Sequence, residues 1–237
     1  MLSEGRTKTK KVKVIPLIAK QTAAEKAVEL FIKDNMVVGL GSGSTSFFAI
    51  QKIAERMIEG LSIKAVPSSS STEKLATKLG IPIIPFSEVN KIDVTIDGAD
   101  EVDKDNNLIK GGGGALLREK ILAYNSQKFV VIVDESKLVN RLGNFPLPVE
   151  IVSFASELTI ENLKKLNCKP VIRLNDAKPY ITDNGNLIID CLFNEILDPA
   201  DLNDQLRNIS GVVETGLFIK MTSSIIIGHQ DGATKII

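Results

Sequence analysis

The run Lys128-Phe129-Val130-Val131-Ile132-Val133-Asp134 constrains the fold more than any other stretch of the chain. Its apolar residues are consecutive rather than alternating. An extended strand sends successive side chains to opposite faces, so both faces of this strand are apolar and both must be covered. A mostly parallel sheet with helices on its two faces is the usual way to do that. The preceding sequence agrees. Apolar runs at Met36–Leu40, Ser62–Val66 and Ile92–Ile96 read as further strands, with a proline-interrupted edge at Ile81–Pro85. They alternate with helical patterns over Gln21–Asp34, about Ser46–Glu59, and Thr72–Leu79, the last closed by Gly80. The expectation is a Rossmann-like α/β domain.

The two prolines of Phe145-Pro146-Leu147-Pro148 mark a boundary. Beyond it the pattern is strand (149–155), helix (157–166), strands (170–174, 180–182, 187–191), helix (198–208) and a strand region (211–218). Asp183-Asn184-Gly185-Asn186 between apolar runs is a hairpin signal. These elements predict a second, smaller α+β domain over 145–218. Ser223–Ile227 is expected to rejoin the first sheet, so the large domain would comprise 20–144 plus 219–237. Residues 1–19 are expected to form a disordered basic tail, because Arg6, Lys8, Lys10, Lys11 and Lys13 stand against Glu4 alone.

Composition narrows the function. The formal net charge is zero, which argues against nucleic acid as the main partner. No apolar run approaches the ~18 residues of a membrane span, so no membrane association is expected. Two cysteines, Cys168 and Cys191, are too few for a disulfide framework or a Cys-based metal site and fit a reducing, cytoplasmic setting. His229 is the sole histidine, which excludes His-rich metal centres.

Two stretches carry chemistry. The first, Gly41-Ser42-Gly43-Ser44-Thr45, lies between a strand and a helix. Glycines let the backbone approach a ligand, the hydroxyls add donors, and a helix N-terminus favours negative charge. It lacks the Lys of a Walker loop and the spacing of the dinucleotide fingerprint, so a small phosphorylated ligand fits best. The serine run Ser68–Ser71 reads equally as a linker or as a loop facing that site. The second stretch, Ile96–Lys120, holds Asp97 and Asp100 at a strand end, Lys110, four glycines (Gly111–Gly114), and Glu119 in a helical pattern. Acids, an ammonium and an open backbone nest together suit proton transfer on a small polar molecule. Lys137, after the strongest strand, is a further candidate anion partner. On these residues alone, a sugar-phosphate-sensing module and an amino-sugar-phosphate deaminase remain alternatives to an isomerase. The sensing module is expected to carry a DNA-binding helix-turn-helix domain, for which the roughly 20 residues before the first helix leave no room.

The motifs GLGSGST (39–45), DGADEVD (97–103), KGGGGALLREK (110–120), VDESKLV (133–139) and GVVETGLF (211–218) resemble those of the type A ribose-5-phosphate isomerases. The resemblance covers the chain from about Lys20 onward. It implies a large Rossmann-like domain with a smaller ferredoxin-like one, assembled as dimers or tetramers. It also implies interconversion of ribose 5-phosphate and ribulose 5-phosphate in the non-oxidative pentose phosphate pathway, with no cofactor or metal. By motif position Glu119 matches the proton acceptor, and Asp97, Asp100 and Lys110 the polar catalytic cluster. Ser42, Gly43, Ser44, Thr45, Gly98, Ala99, Gly111, Gly112, Gly113 and Lys137 match substrate contacts. Lys20 matches a further phosphate-binding lysine at an offset spacing. Two positions depart from the family pattern: Gly114 stands where Ala is frequent, and Leu117 where Thr is common.

Overall fold

The computed structural model describes residues 15–237, so the expected tail lies outside the described residues up to position 14. The first helix, α1 (Ile15–Phe31), begins six residues before the expected Gln21, so residues 15–19 belong to the helix and not to a tail. Pro16 does not prevent this, because an N–H in the first helical turn has no intrahelical acceptor to lose.

In chain order the remaining elements of the large domain are β1 (Val37–Leu40), α2 (Ser44–Ile58), β2 (Lys64–Pro67), α3 (Ser70–Lys78), β3 (Val94–Gly98), β4 (Glu101–Val102), β5 (Leu108–Ile109), α4 (Leu116–Tyr124) and β6 (Phe129–Asp134). The small domain contributes β7 (Leu147–Ile151), α5 (Ser156–Lys164), β8 (Lys169–Ile172), β9 (Leu174–Asn175), β10 (Lys178–Pro179), β11 (Leu187–Leu192), α6 (Pro199–Arg207) and β12 (Val212–Thr215). The chain then returns through β13 (Leu217–Phe218), β14 (Ser224–Gly228) and β15 (Thr234–Ile236).

The central sheet runs β15-β14-β6-β3-β1-β2 and is parallel except for β15. Every residue of β6 is buried, as its unbroken apolar run requires. The strand β14 pairs with β6 and so rejoins the first sheet as expected. The order β2-β1-β3-β6-β14 reverses direction at β1/β3. In open α/β sheets that switch point is where ligands bind, outside the carboxyl ends of the strands. The loops leaving β1 and β3 there are Gly41–Gly43 and Ala99–Asp100.

The small domain has the order β7-α5-β8-β11-α6-β12, with an antiparallel sheet β12-β7-β11-β8. This is the ferredoxin-like βαββαβ arrangement. The hairpin expected at 183–186 is present: Thr182 N–H donates to Asn186 O at 2.9 Å, and Gly185 adopts φ 81°. Two features differ from expectation. The strand expected at 180–182 is reduced to a single bridge between Ile181 and Leu187, while β9 and β10 form a separate two-stranded hairpin. Ile109 and Leu142, from before position 145, pack in the same core as Leu147, Val149 and Ile189. A three-stranded sheet, β13-β5-β4, joins the stretch after β12 to the stretch before α4, and Lys110 follows directly after β5.

Candidate active site

Asp97 is the penultimate residue of β3 and is fully buried. Its Oδ1 accepts from Ser42 N (3.0 Å), Gly98 N (2.8 Å) and Ser46 Oγ (3.1 Å). The carboxylate thereby fixes the loop that links β1 to α2. Gly41 has to be glycine here, since a Cβ would collide with the Asp97 carboxylate. The loop is braced from behind as well. Ser42 Oγ lies 2.8 Å from the hydroxyls of Ser68 and Ser69, and Thr72 Oγ1 donates to Gly41 O at 3.0 Å. Ser68 to Thr72 therefore act as a scaffold for the site and not as a linker. Ser69 also caps α3, accepting from Thr72 N.

Lys110 is 2% exposed. Its ammonium donates to Gly98 O at 2.6 Å and lies 2.9 Å from Asp97 Oδ2 and 3.2 Å from Glu119 Oε2. Glu119 is in the first turn of α4, on the same buried stripe as Leu116, Leu122 and Ala123. An amphipathic helix thus delivers a carboxylate, 4% exposed, to a place where an apolar side chain would ordinarily sit. The Asp97 and Glu119 oxygens facing Lys110 have no aligned hydrogen bond of their own. They share one cation, Lys110. Burial raises the pKa of Glu119, the Asp97 charge raises it further, and Lys110 pulls it back, leaving it pushed up to about 8. Burial opposes the charge on Lys110, but Asp97 and Glu119 outweigh it and hold the ammonium above its ordinary value.

Lys110 and Glu119 face a cleft of about 110 Å³, open to solvent. It is lined by Lys20, Ser42, Gly43, Ser44, Thr45, Gly98, Ala99, Asp100, Lys110, Gly111, Gly112, Gly113, Glu119 and Lys137. Every site residue expected from the sequence lines it except Asp97, which lies beneath its floor behind Lys110. Lys20, in α1, is brought to Ser44 with Nζ–Oγ at 3.0 Å despite its offset spacing. Lys137 arrives on the short turn after β6. Two ammoniums, the N-terminus of α2 and an unhindered Gly43 (φ 97°) give the cleft an anion-attracting lining. The carboxylate of Glu119 lines the same cleft. Asp100 lines it as well and accepts from Gly112 N at 2.7 Å.

The family model for ribose 5-phosphate isomerase A (phosphoriboisomerase A) matches residues 64–232. The chain belongs to this family. A ribose-5-phosphate isomerase A of Bacillus mycoides is 55% identical over 214 residues, which is 90% of this chain and 96% of that protein. Among solved structures, ribose 5-phosphate isomerase from Plasmodium falciparum superposes with a TM-score of 0.90 at 40% identity, covering 94% of this chain and 98% of that one. A D-ribose-5-phosphate isomerase solved in complex with phospho-erythronic acid superposes with a TM-score of 0.88 at 43% identity, covering 92% and 96%.

One departure from the isomerase pattern has a local reason. Gly114 (φ 84°) lies against the Tyr180 ring, and a Cβ there would overlap the phenol. Glycine at 114 and tyrosine at 180 accommodate each other. Nothing in the structure explains Leu117. Sequence reasoning missed Arg173 and Tyr180, which reach the glycine loop from the small domain, with Arg173 Nη1 donating to Gly111 O (2.8 Å) and Gly112 O (3.1 Å). Neither residue has a local signal, because the contacts span about 60 residues of sequence.

Proposed function

We propose that the chain interconverts ribose 5-phosphate and ribulose 5-phosphate, with Glu119 carrying the proton between carbons 2 and 1. The phosphate sits at the end of the cleft formed by Gly43–Thr45, Lys20 and Lys137. That anchoring fixes the reacting carbons against Glu119 and replaces a random encounter by a held geometry. Glu119 removes the proton from C2 of the open-chain aldose, giving an enediolate, and returns it to C1 to give the ketose. The Lys110 ammonium offsets the negative charge that develops on oxygen. Asp100, which lines the cleft, moves protons among the sugar hydroxyls and assists ring opening. Asp97, below the floor, holds Lys110 and the phosphate loop in register.

The observation that carries this reading is the buried Glu119 beside Lys110, at 3.2 Å, with its pKa raised to about 8. A base is most effective when its pKa is near the working pH. The phosphorylated sugar acid held by a related isomerase supports the same class of ligand here. Glu119→Gln keeps the shape and removes the base. We expect it to bind ribose 5-phosphate and to lose turnover by about 10³-fold or more. Turnover within tenfold of wild type would reject Glu119 as the base.

No helix among the described residues is long and apolar enough to cross a membrane. The family reading makes the chain a cytoplasmic dimer or tetramer. Phe154, Leu158 and Leu197 on the small domain, 86%, 68% and 76% exposed, support burial against another copy. A monomeric mass by light scattering would count against it.

A further inference from the structure

The glycine loop is held from outside the large domain. Arg173, between β8 and β9, donates from Nη1 to Gly111 O at 2.8 Å and to Gly112 O at 3.1 Å. Its other nitrogens are engaged by Asp190 on β11, with Nε–Oδ2 at 2.9 Å and Nη2–Oδ1 at 2.5 Å. The guanidinium is therefore oriented by a two-point carboxylate clamp before it meets the loop, and a planar fork held that way loses little freedom on binding two carbonyls. The Arg173 and Asp190 side chains are only 15% and 22% exposed.

The peptide unit between Gly111 and Gly112 is bonded at both ends. Its carbonyl, Gly111 O, accepts from Arg173, and its N–H, Gly112 N, donates to Asp100 Oδ2 at 2.7 Å. A cation, one amide plane and a carboxylate thus lie in series. Glycines have the freedest backbone of any residue, and Gly112 and Gly113 are exposed. Within the loop's own turn Gly111 O also accepts from Gly114 N at 2.9 Å, so Arg173 adds a charged second donor to that carbonyl and holds the amide plane from outside the loop. A charge at the carbonyl end also polarises the N–H toward its acceptor.

We propose that Arg173, set by Asp190, is a positioning residue for the isomerisation: it locks the Gly111–Gly112 peptide and through it the Asp100 carboxylate that faces the sugar. The small domain thereby completes a site whose other residues come from the large one. This deepens the isomerase reading above and rests on it for the kinetic arm of its test.

Arg173→Ala, Arg173→Lys and Asp190→Asn are to be compared with wild type in ribose 5-phosphate turnover, thermal melting and the amide spectrum of glycine-labelled protein. For Arg173→Ala we expect kcat to fall at least tenfold with KM within about threefold, and part of the rate to return with added guanidinium ion. Arg173→Lys should retain more activity than Ala, since an ammonium reaches one carbonyl. The Gly112 amide proton, bonded to a carboxylate, should lie downfield in wild type and move upfield in Arg173→Ala. A Gly112 resonance that does not move overturns the inference whatever the enzyme's activity. So does a kcat within twofold of wild type, or a loss that follows melting and ignores guanidinium. Failure of wild type itself to isomerise the sugar, with the Gly112 shift still present, would instead reject the isomerase reading and leave the peptide lock standing.

Discussion

Two buried glutamates in this molecule have opposite surroundings. Glu119 is 4% exposed and has one cation beside it, which it shares with Asp97. Glu150, in β7, is fully buried and has no ion-pair partner among the described residues, but its Oε1 accepts from Thr182 Oγ1 (3.0 Å), Asn184 Nδ2 (3.0 Å) and Asn186 Nδ2 (2.9 Å). Each has one buried oxygen without a hydrogen bond. Three neutral donors from one turn tie Glu150 to the 182–186 hairpin, whose Asp183 reaches the Ser70 N–H at the start of α3. That carboxyl group is a structural pin. Glu119 is tied to nothing rigid except the charge of Lys110, and a carboxylate held that way is free to take and release a proton. Burial alone does not make a base; burial with few donors does.

The sharpest way to break the contrast is to remove the cation. Lys110→Met leaves the facing oxygens of Asp97 and Glu119 with no counter-charge. The developing oxyanion loses its partner, and a donor of that kind accounts for about 3–4 kcal/mol, or 10²–10³-fold in kcat. The melting temperature should also fall, because one side of a buried ion cluster has gone. An enzyme that kept kcat within threefold would show that Lys110 serves only to keep the two acids apart.

Removing the other acid should hurt folding and leave the chemistry. Glu150→Ala strands the donors of Thr182, Asn184 and Asn186 and should cost about 2–4 kcal/mol in denaturant unfolding. Glu150→Gln should cost less, since its amide oxygen can still accept all three. In both variants the kcat of the folded protein should stay within tenfold of wild type. A large kcat loss with unchanged stability would make Glu150 part of the catalytic machinery and erase the contrast.

The same pair shows what a sequence exposes and what it hides. Glu119 is legible because its helix, the glycines before it and the Asp97–Asp100 pair all lie within one stretch, and each obeys a local rule of turns or periodicity. β6 is legible for the same reason. Glu150 sits in a short strand with nothing beside it to mark it, and its donors come from a turn more than 30 residues later. Arg173 is hidden likewise, as are the two-residue strands β4, β5 and β13, because their partners lie far along the chain. The helix α1 starts six residues before the expected Gln21, because the apolar stripe that marks it begins later than its first turn, where Pro16 is tolerated. The separation of Asp97 from Asp100 was also invisible: three residues apart in sequence, one lies under the floor and the other on the wall.

The smallest expected effect is the most specific to Glu119. Its folded pKa, about 8, lies above the ordinary 4.5. Between those values the folded state keeps a proton that the unfolded chain has released. Unfolding free energy therefore falls as pH rises through the window, by up to about 1.4 kcal/mol per pH unit from this one group. Activity should move the other way, since the base works only when deprotonated, so kcat/KM should climb toward about pH 8 and level off above it. Glu119→Gln should abolish this part of the stability slope and leave the variant more stable than wild type at the alkaline end. Denaturant midpoints of wild type and Glu119→Gln, measured from about pH 5 to 8, test this directly: parallel curves would mean that Glu119 does not titrate in this window, and its distinction from Glu150 would then rest on position alone. Diverging curves, with wild type losing stability where it gains activity, would show that the fold holds an acid at the site in a state it would not choose for stability.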